Sequence, residues 1–166
     1  MKVKTTLAAL LLFATTGVFA QTAEKSAVEK REVSAFIKIN VDAQIDVVLI
    51  DDAKAGTVYL VGESKLFDDI KLKVEGNELQ VTSKRDINYK SKITVEVHVK
   101  DLEKITVQKE ALLFSDNTLN SKKINVYLLG GGKASLQSTG SINISSGEDT
   151  ELVVLHKTAG VTVVNK

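Results

Sequence analysis

The amino-acid sequence predicts an all-β fold in which N-terminal β-hairpins lead into a β-solenoid. Three observations predict this class: strict apolar-polar alternation in several segments, a Gly76-Asn77 hairpin signal, and an apolar-polar-apolar triplet that recurs four times in the second half. The composition agrees, because 43% of the residues are hydrophobic but only 5% are aromatic. A core of small, branched side chains suits layers of stacked strands.

The first 20 residues have the features of a secretory signal peptide. Lys2 and Lys4 precede an apolar run over residues 7–18 that is short for a bilayer span, and small residues up to Ala20 predict cleavage before Gln21. An uncleaved N-terminal membrane anchor is the alternative, whereas a lipid anchor needs a cysteine and the sequence has none. We therefore expect an exported protein with no integral membrane segment in its mature chain.

Length and charge limit the classes of function. Without the signal peptide the chain has 146 residues, the size of one domain, with 20 basic and 21 acidic side chains. This balance gives no overall field that attracts nucleic acid, so we expect no nucleic-acid partner. Residues 21–33 are polar and lack periodicity, which predicts a mobile leader, and residues 34–166 are predicted to form the single domain.

The first half of the domain shows strands and turns in alternation. Residues 39–49 keep a strict period of two and predict one half-buried strand, with Asp42 and Asp46 facing water. A turn over residues 51–56 precedes a strand over residues 57–61, and we expect these two strands to pair antiparallel. The next elements predicted are a helical turn over 65–69, a hairpin over 70–81 and a one-sided strand over 93–99.

The second half is repetitive. Its triplets begin at residues 105, 124, 142 and 161, at spacings of 19, 18 and 19 residues, and each interval contains a second short apolar segment. These segments are found at residues 112–114, 134–136 and 152–155. Short strands and corners of this kind are what the coils of a β-solenoid need. An antiparallel β-sandwich also has short strands at regular spacing, and it is the alternative fold.

Several segments together resemble a known family of secreted bacterial envelope proteins, the putative auto-transporter adhesin, head GIN domain family. The resemblance rests on FIKI followed by IDVVLI, on TVYLVGESKLFDDIKLKVEGNELQV, and on KITVEVHV followed by DLEKITV. It implies a short right-handed parallel β-helix, exported to the periplasm or cell surface of a Gram-negative-type bacterium, with no catalytic residues to transfer. Two departures are Ala43-Gln44, where the family has a Gly-containing turn, and the scarcity of Ser-Gly corners.

The residues that suggest chemistry also have structural explanations. The Gly130 to Lys133 loop is followed by Ala134 and a strand, whereas a phosphate loop requires a helix there. His98, on the polar face of its strand, and His156 lack partners at zinc-ligand spacing. Three acidic pairs could offer ligands to calcium, but turn formation is the favoured explanation because the calcium-binding repeat GGxGxDxUx is absent. These pairs are Asp51-Asp52, Asp68-Asp69 and Asp116-Asn117. We therefore expect no catalytic, cofactor-binding or metal-binding residue, and no enzyme.

A basic segment is the candidate ligand contact. Its cations and its tyrosine suit an anionic glycan or a lipid head group, and the alternative is a solvated hairpin loop. The residues concerned are Lys84, Arg85, Tyr89, Lys90 and Lys92.

Val161 and Val163 lie in the last triplet and are predicted to form an edge strand, which pairs with a second copy to give a homodimer or accepts a partner chain. The function that we expect is an exported, non-enzymatic module of the cell envelope for adhesion or glycan contact. Its partners are then envelope glycans or another envelope protein. A self-associating structural protein is the second candidate, and an enzyme acting on envelope polysaccharide is the third.

Overall fold

The computed structural model describes residues 26–87 and 93–147, and the backbone of residues 161–165. It has two β-sheets and one short 3₁₀ helix, Ser64–Asp69. The strands are β1 (Ala27–Glu32), β2 (Lys38–Asp42), β3 (Asp46–Asp51), β4 (Thr57–Gly62), β5 (Ile70–Glu75), β6 (Glu78–Ser83), β7 (Ile93–Val99), β8 (Lys104–Val107), β9 (Leu112–Ser115), β10 (Lys123–Leu128), β11 (Lys133–Ser135), β12 (Ser141–Ser146) and β13 (Val161–Asn165).

Both sheets mix parallel and antiparallel pairs. The first sheet has the order β1-β4-β7-β3-β9-β11, and the second has the order β13-β12-β10-β8-β2-β6-β5. In the first sheet β4 pairs antiparallel with β1 and β7, and the other pairs are parallel. In the second sheet only β5 and β6 are antiparallel. The all-β prediction is confirmed, with two mixed sheets.

The apolar side chains of the two sheets form a single core. Ile39 and Ile105 on the second sheet and Leu49 and Leu113 on the first are all fully buried in it. Most of its members are Val, Ile and Leu, as the composition predicts. Side chains of this kind pack between pleated sheets without leaving large voids.

The long alternating segment is two strands rather than one. Residues 39–41 belong to β2 in the second sheet and residues 47–49 belong to β3 in the first, with a corner at Ala43 and Ile45. The two corner side chains are also buried, so the apolar alternation continues through the bend. The prediction of one strand was wrong because a period of two does not distinguish a straight strand from a chain that turns around the core.

The predicted pairing of β3 with β4 was also wrong, because β7 lies between them. The loop after β3 crosses the end of β7: the Asp52 N–H donates to the Val99 carbonyl at 3.3 Å, and the Gly56 N–H donates to the His98 carbonyl at 3.1 Å. This crossing places β4 on the far side of β7, where the two strands pair antiparallel.

The hairpin and the helical turn are confirmed. β5 and β6 pair antiparallel around Gly76 and Asn77, whose φ values of 56° and 61° fit a tight two-residue turn. The 3₁₀ helix Ser64–Asp69 contains the predicted turn at 65–69. Among the described residues, none of the helical segments has the length and apolar character that a membrane span requires.

The repeated triplets occupy neighbouring parallel strands of the second sheet. Ile124 of β10 pairs with Ile142 of β12, and Ile142 pairs with Val161 of β13. Ile105 of β8 pairs with Val126 instead of Ile124, which is a displacement of two residues that leaves every side chain on its face. Between these strands the chain enters the first sheet as β9 and then as β11, which pair parallel. The apolar segment at 152–155 lies outside the described residues.

The first strand lies earlier in the chain than the sequence predicted. Ala27–Glu32 lies in the stretch predicted to be a mobile leader, and it forms the edge strand β1 against β4. Arg31 fixes this strand, because its guanidinium donates to the Ile70 carbonyl at 2.7 Å and to the Phe67 carbonyl at 2.9 Å. The sequence signal was weak because an edge strand exposes most of its side chains. Residues 1–20, which contain the predicted signal peptide, lie outside the described residues.

Candidate ligand-contact surface

The outward side chains of the second sheet form a polar surface, which we call the polar face. Within the strands, the side chains that alternate with these outward ones point inward and most of them are apolar. The polar face comprises Lys38, Asn40, Glu78, Gln80, Lys104, Thr106, Gln108, Asn125, Tyr127, Asn143 and Ser145.

Amide side chains bond to one another across this face. The Asn40 amide donates to Gln80 Oε1 at 2.6 Å, and the Gln108 amide donates to Asn40 Oδ1 at 2.9 Å. Further along, the Asn143 amide donates to Asn125 Oδ1 at 3.2 Å. Each amide offers two donors and one acceptor oxygen, so these bonds fix the side chains while leaving capacity for further partners.

An aromatic ring stands among these amides. Tyr127 is 38% exposed, and the Lys104 ammonium lies 5.7 Å from the centroid of its ring. Lys104 also lies 3.4 Å from Glu78 Oε1, so its charge is partly balanced. Beside the ring is a shallow depression of about 230 Å³, whose outward-facing lining includes Asn125, Asn143 and Ser145.

The hydroxyl of Thr106 has no hydrogen-bond partner among the described residues. This side chain is 8% exposed and lies between Asn40 of β2 and Tyr127 of β10 in the strand register. A buried hydroxyl without a partner is destabilising. The polar face therefore retains an unused donor and acceptor beside its exposed ring.

Only part of the predicted basic segment falls within the described residues. Lys84 and Arg85 are exposed, and the Arg85 guanidinium bonds to Asp69 Oδ2 at 2.7 Å through both Nε and Nη2. The remaining predicted contacts, Tyr89, Lys90 and Lys92, lie outside those residues, so ligand contact by this segment stays a prediction. Arg85 is held by its acidic neighbour, whereas Lys84 extends from the end of β6.

His98 lies on the outer face of β7, as predicted, but it is buried and bonded. Its Nδ1 is 2.9 Å from Asp52 Oδ2, and its ring meets the Tyr59 ring edge-on with centroids 5.4 Å apart. Burial opposes ionisation of Asp52, but bonds from the Lys54 N–H and His98 outweigh it and hold the pKa of this carboxyl below its ordinary value. This pair fastens the loop after β3 to the end of β7. His156 lies outside the described residues.

The acidic pairs participate in the bonding of turns and corners. Asp51 Oδ2 accepts from the Asn120 N–H at 2.8 Å, and the Asn117 amide exchanges two 2.8 Å bonds with the backbone of Asp51. Asp69 accepts from Arg85. Among the described residues, His and carboxylate side chains form no group of three or more suited to a metal ion.

The glycine loop is a close-packed corner. A Cβ at Gly130 would lie 2.0 Å from the carbonyl oxygen of Gln108, and Gly131 has a φ of +67°. The loop leads into strand β11. The close packing on residue 108 requires glycine at residue 130, whereas Gly131 has a positive φ, which glycine adopts without strain.

The sequence interpretation missed the polar face, although a signal for it was present. The middle residue of the triplet is Asn in Ile39-Asn-Val41, in Ile124-Asn-Val126 and in Ile142-Asn-Ile144. Outward positions on parallel strands in register lie side by side, so Asn125 and Asn143 are neighbours, whereas Asn40 lies opposite Thr106. This placement requires the strand order and register, which the sequence did not provide.

The strand predicted to be an edge strand is β13, at one end of the second sheet. Val161 and Val163 of β13 pair with Ile142 and Ile144 of β12, and β13 is the last strand of the second sheet within the described residues. The predicted homodimer or partner chain at this edge stays a prediction.

Comparisons with known proteins identify the family. The model of the putative auto-transporter adhesin, head GIN domain family matches residues 35–161, and the chain belongs to this family. Comparison with curated proteins gives no match.

Solved structures of two bacterial proteins share the fold. One is a putative lipid binding protein from Parabacteroides distasonis, with a TM-score of 0.53 and 17% identity over 86% of this chain and 72% of that one. The other is a putative adhesin from Parabacteroides merdae, with a TM-score of 0.50 and 12% identity over 86% of this chain and 97% of that one. At these identities the likeness concerns the fold alone.

Proposed function

We propose that this protein is an exported, non-enzymatic module of the bacterial cell envelope that mediates adhesion by contacting glycans. The observation that carries the proposal is the polar face, a sheet surface with linked amides, an exposed ring and a hydroxyl that has no partner among the described residues. Membership of an adhesin family supports it. The location that fits is the periplasm or the cell surface of a Gram-negative-type bacterium.

A binding role fits the site better than catalysis does. A general acid or base must reach the substrate, but His98 is buried against Tyr59 and bonded to Asp52. The carboxylates of Asp51 and Asp69 also have partners within the fold. A rigid sheet that presents amides and a ring is instead suited to holding a hydroxylated polymer.

We propose a short right-handed parallel β-helix as the detailed architecture, and the connectivity from β8 to β12 supports its parallel stacking. In this region the chain alternates between the two sheets, and each strand lies parallel to its counterpart from the previous passage. A framework of this kind holds outward residues at a repeat of about 4.8 Å, the spacing between neighbouring strands. A regular surface of this sort suits a repetitive ligand.

Adhesion of coated beads tests the proposed function. Protein expressed from its own start codon in a Gram-negative host is recovered from the envelope, coupled to latex beads and passed over immobilised mannan, dextran, laminarin and heparin. We expect retention on at least one glycan above that of albumin-coated beads. Retention equal to that of albumin on every surface would contradict the proposal.

The same preparation tests export. Intact-mass measurement should give a chain that begins at Gln21, because the residues up to Ala20 have the pattern of a cleaved signal peptide. Recovery of a chain that retains Met1 would contradict cleavage.

Self-association through β13 is a second candidate function. This strand has a hydrogen-bonded neighbour only on its β12 side within the described residues, so its other edge suits strand addition. A Val163→Pro substitution removes one backbone donor from β13. Light scattering should show a dimer for the natural chain and a monomer for the variant, whereas identical masses would exclude the edge as the interface.

A further inference from the structure

We propose that six residues of the polar face, here called the Tyr127 patch, form a binding site for an uncharged polysaccharide. This proposal rests on the proposed function and specifies its ligand. The patch has two outward residues on each of three neighbouring parallel strands. Its members are Lys104 and Thr106 on β8, Asn125 and Tyr127 on β10, and Asn143 and Ser145 on β12.

The geometry matches a sugar polymer that lies across the strands. Outward residues recur at about 4.8 Å from strand to strand, a distance comparable to the length of one hexose unit in an extended chain. Asn125 and Asn143 occupy equivalent places on adjacent strands, and the bond between them fixes both amides. Two successive sugars therefore meet equivalent amides on β10 and β12.

The ring of Tyr127 provides a surface for the apolar side of a sugar. Pyranose rings carry C–H groups on their faces, and these pack against exposed aromatic rings, whose faces are electron-rich. Leu129 follows two residues later and is 61% exposed, so it extends the apolar surface beyond the end of β10. The surrounding amides and hydroxyls are placed to bond the equatorial hydroxyls of the same sugar.

Thr106 gives independent support for a ligand at this place. Its hydroxyl is more than nine-tenths buried and has no partner among the described residues, and its strand neighbour in register is Tyr127. The Lys104 side chain extends over the Tyr127 ring and is long and flexible. A sugar that displaces Lys104 from the ring brings a hydroxyl to Thr106 and supplies the missing bond.

The charge of the patch favours a neutral ligand. Lys104 is its single charged member and lies within 3.4 Å of a carboxylate oxygen of Glu78, so the pair has no net charge. A strongly anionic polymer requires several uncompensated cations, and this patch does not offer them. An uncharged glycan is therefore the ligand expected at the patch.

Binding of soluble polysaccharides to variants tests the assignment. Mannan, dextran and laminarin are the neutral probes and heparin is the anionic probe, with affinities measured by titration calorimetry and affinity electrophoresis. We expect at least one neutral probe to bind the natural chain. Tyr127→Ala should weaken that binding about tenfold, while Tyr127→Phe, which keeps the ring, should retain most of it.

A matched control separates a local effect from a general one. Leu112 is 42% exposed on the first sheet, close to the exposure of Tyr127, so Leu112→Ala should leave the affinity for the neutral probe unchanged. Asn143→Ala should weaken binding several-fold through loss of the linked amide pair. Circular dichroism and the thermal midpoint show whether each variant is folded.

The outcomes distinguish this inference from the proposed function. If beads adhere to glycans but no neutral probe binds in solution, or if a folded Tyr127→Ala variant binds as tightly as the natural chain, the inference is wrong and the proposed function stands. If Leu112→Ala weakens binding as much as Tyr127→Ala, the site lies elsewhere. If no glycan retains the beads, the proposed function fails as well.

Discussion

The hairpin part of the protein, residues 57–83, and the stacked part, residues 104–146, reverse the direction of the chain by different means. In the hairpin part Gly76 lies at a turn that faces open space, where an added Cβ would meet nothing within 4 Å. In the stacked part a Cβ on Gly140 would lie 2.0 Å from the carbonyl oxygen of Ser121. Gly76 is needed because the turn requires a positive φ, whereas Gly140 is needed because there is no space for a side chain.

The two parts differ in whether the shape of a turn depends on local or on distant residues. The hairpin turn depends on local backbone geometry, with Gly76 and Asn77 both at positive φ. In the stacked part the corner at Gly140 packs against the backbone of residues 121 and 122, so its shape depends on distant residues. Both parts nevertheless contribute side chains to one core, since Leu79 and Leu128 belong to the same buried cluster.

The largest expected effect tests whether the two parts unfold together. Leu79→Ala in the hairpin part and Leu128→Ala in the stacked part should each lower the free energy of unfolding by about 2–5 kcal/mol, because both side chains are fully buried. Urea titrations followed by circular dichroism and tyrosine fluorescence should give one coincident transition for each variant. Two separate transitions would mean that the parts have independent cores.

The comparison of glycines predicts the next largest difference. Gly140→Ala should lower the free energy of unfolding by about 3 kcal/mol, because backbone atoms of residues 121 and 122 would have to move. Gly76→Ala should cost only about 1 kcal/mol, for placing a side chain at positive φ. If both variants lose the same free energy of unfolding in urea titrations, the close packing at Gly140 adds no cost beyond that of the turn at Gly76.

Arg31 tests the connection between β1 and the hairpin part. Arg31→Met removes its bonds to the carbonyls of Phe67 and Ile70 and should lower the free energy of unfolding by about 2 kcal/mol. Hydrogen exchange should accelerate in β1 and leave β10 protected. Lys30→Ala is the control, since Lys30 pairs with Glu32 on the exposed side of the same strand. If Lys30→Ala accelerates hydrogen exchange in β1 as much as Arg31→Met does, the bonds of Arg31 are not what holds β1 in place.

The smallest effect is a dependence on pH. The pKa of Asp52 lies below its ordinary value of 3.8, so the folded state favours the carboxylate, and the resulting stability is present above that value and lost as pH falls through the folded pKa. Asp52→Asn should therefore be less stable than the natural chain at pH 7, with the gap closing below about pH 3.8. Thermal midpoints between pH 7 and pH 2.5 measure it.

Asp46 provides a control for the pH series, because its pKa is shifted in the opposite direction to that of Asp52. Burial raises the pKa of this carboxyl, so its ionised form is disfavoured in the fold, and Asp46→Asn should raise the stability at pH 7. An Asp52→Asn gap that stays constant across the pH range would contradict the assigned role of the carboxylate.

Local signals in the sequence determined the elements whose causes are also local. The hairpin at Gly76-Asn77 and the 3₁₀ helix follow from nearby residues, and the all-β class follows from alternation. The recurring triplets identified strands that lie side by side. The family also followed from the order of these segments, because a hydrophobic pattern along the chain is itself a property of the sequence.

Tertiary structure decided which strands meet and which polar residues gather. The corner at Ala43, the insertion of β7 between β3 and β4, and the burial of His98 all depend on residues far apart in the chain. The Tyr127 patch likewise requires the register of three parallel strands, and the two-residue displacement between β8 and β10 places Thr106 beside Tyr127. Alternation fixes the face on which a side chain lies, but a shift of two residues preserves that face and changes its neighbours, so only the folded chain selects them.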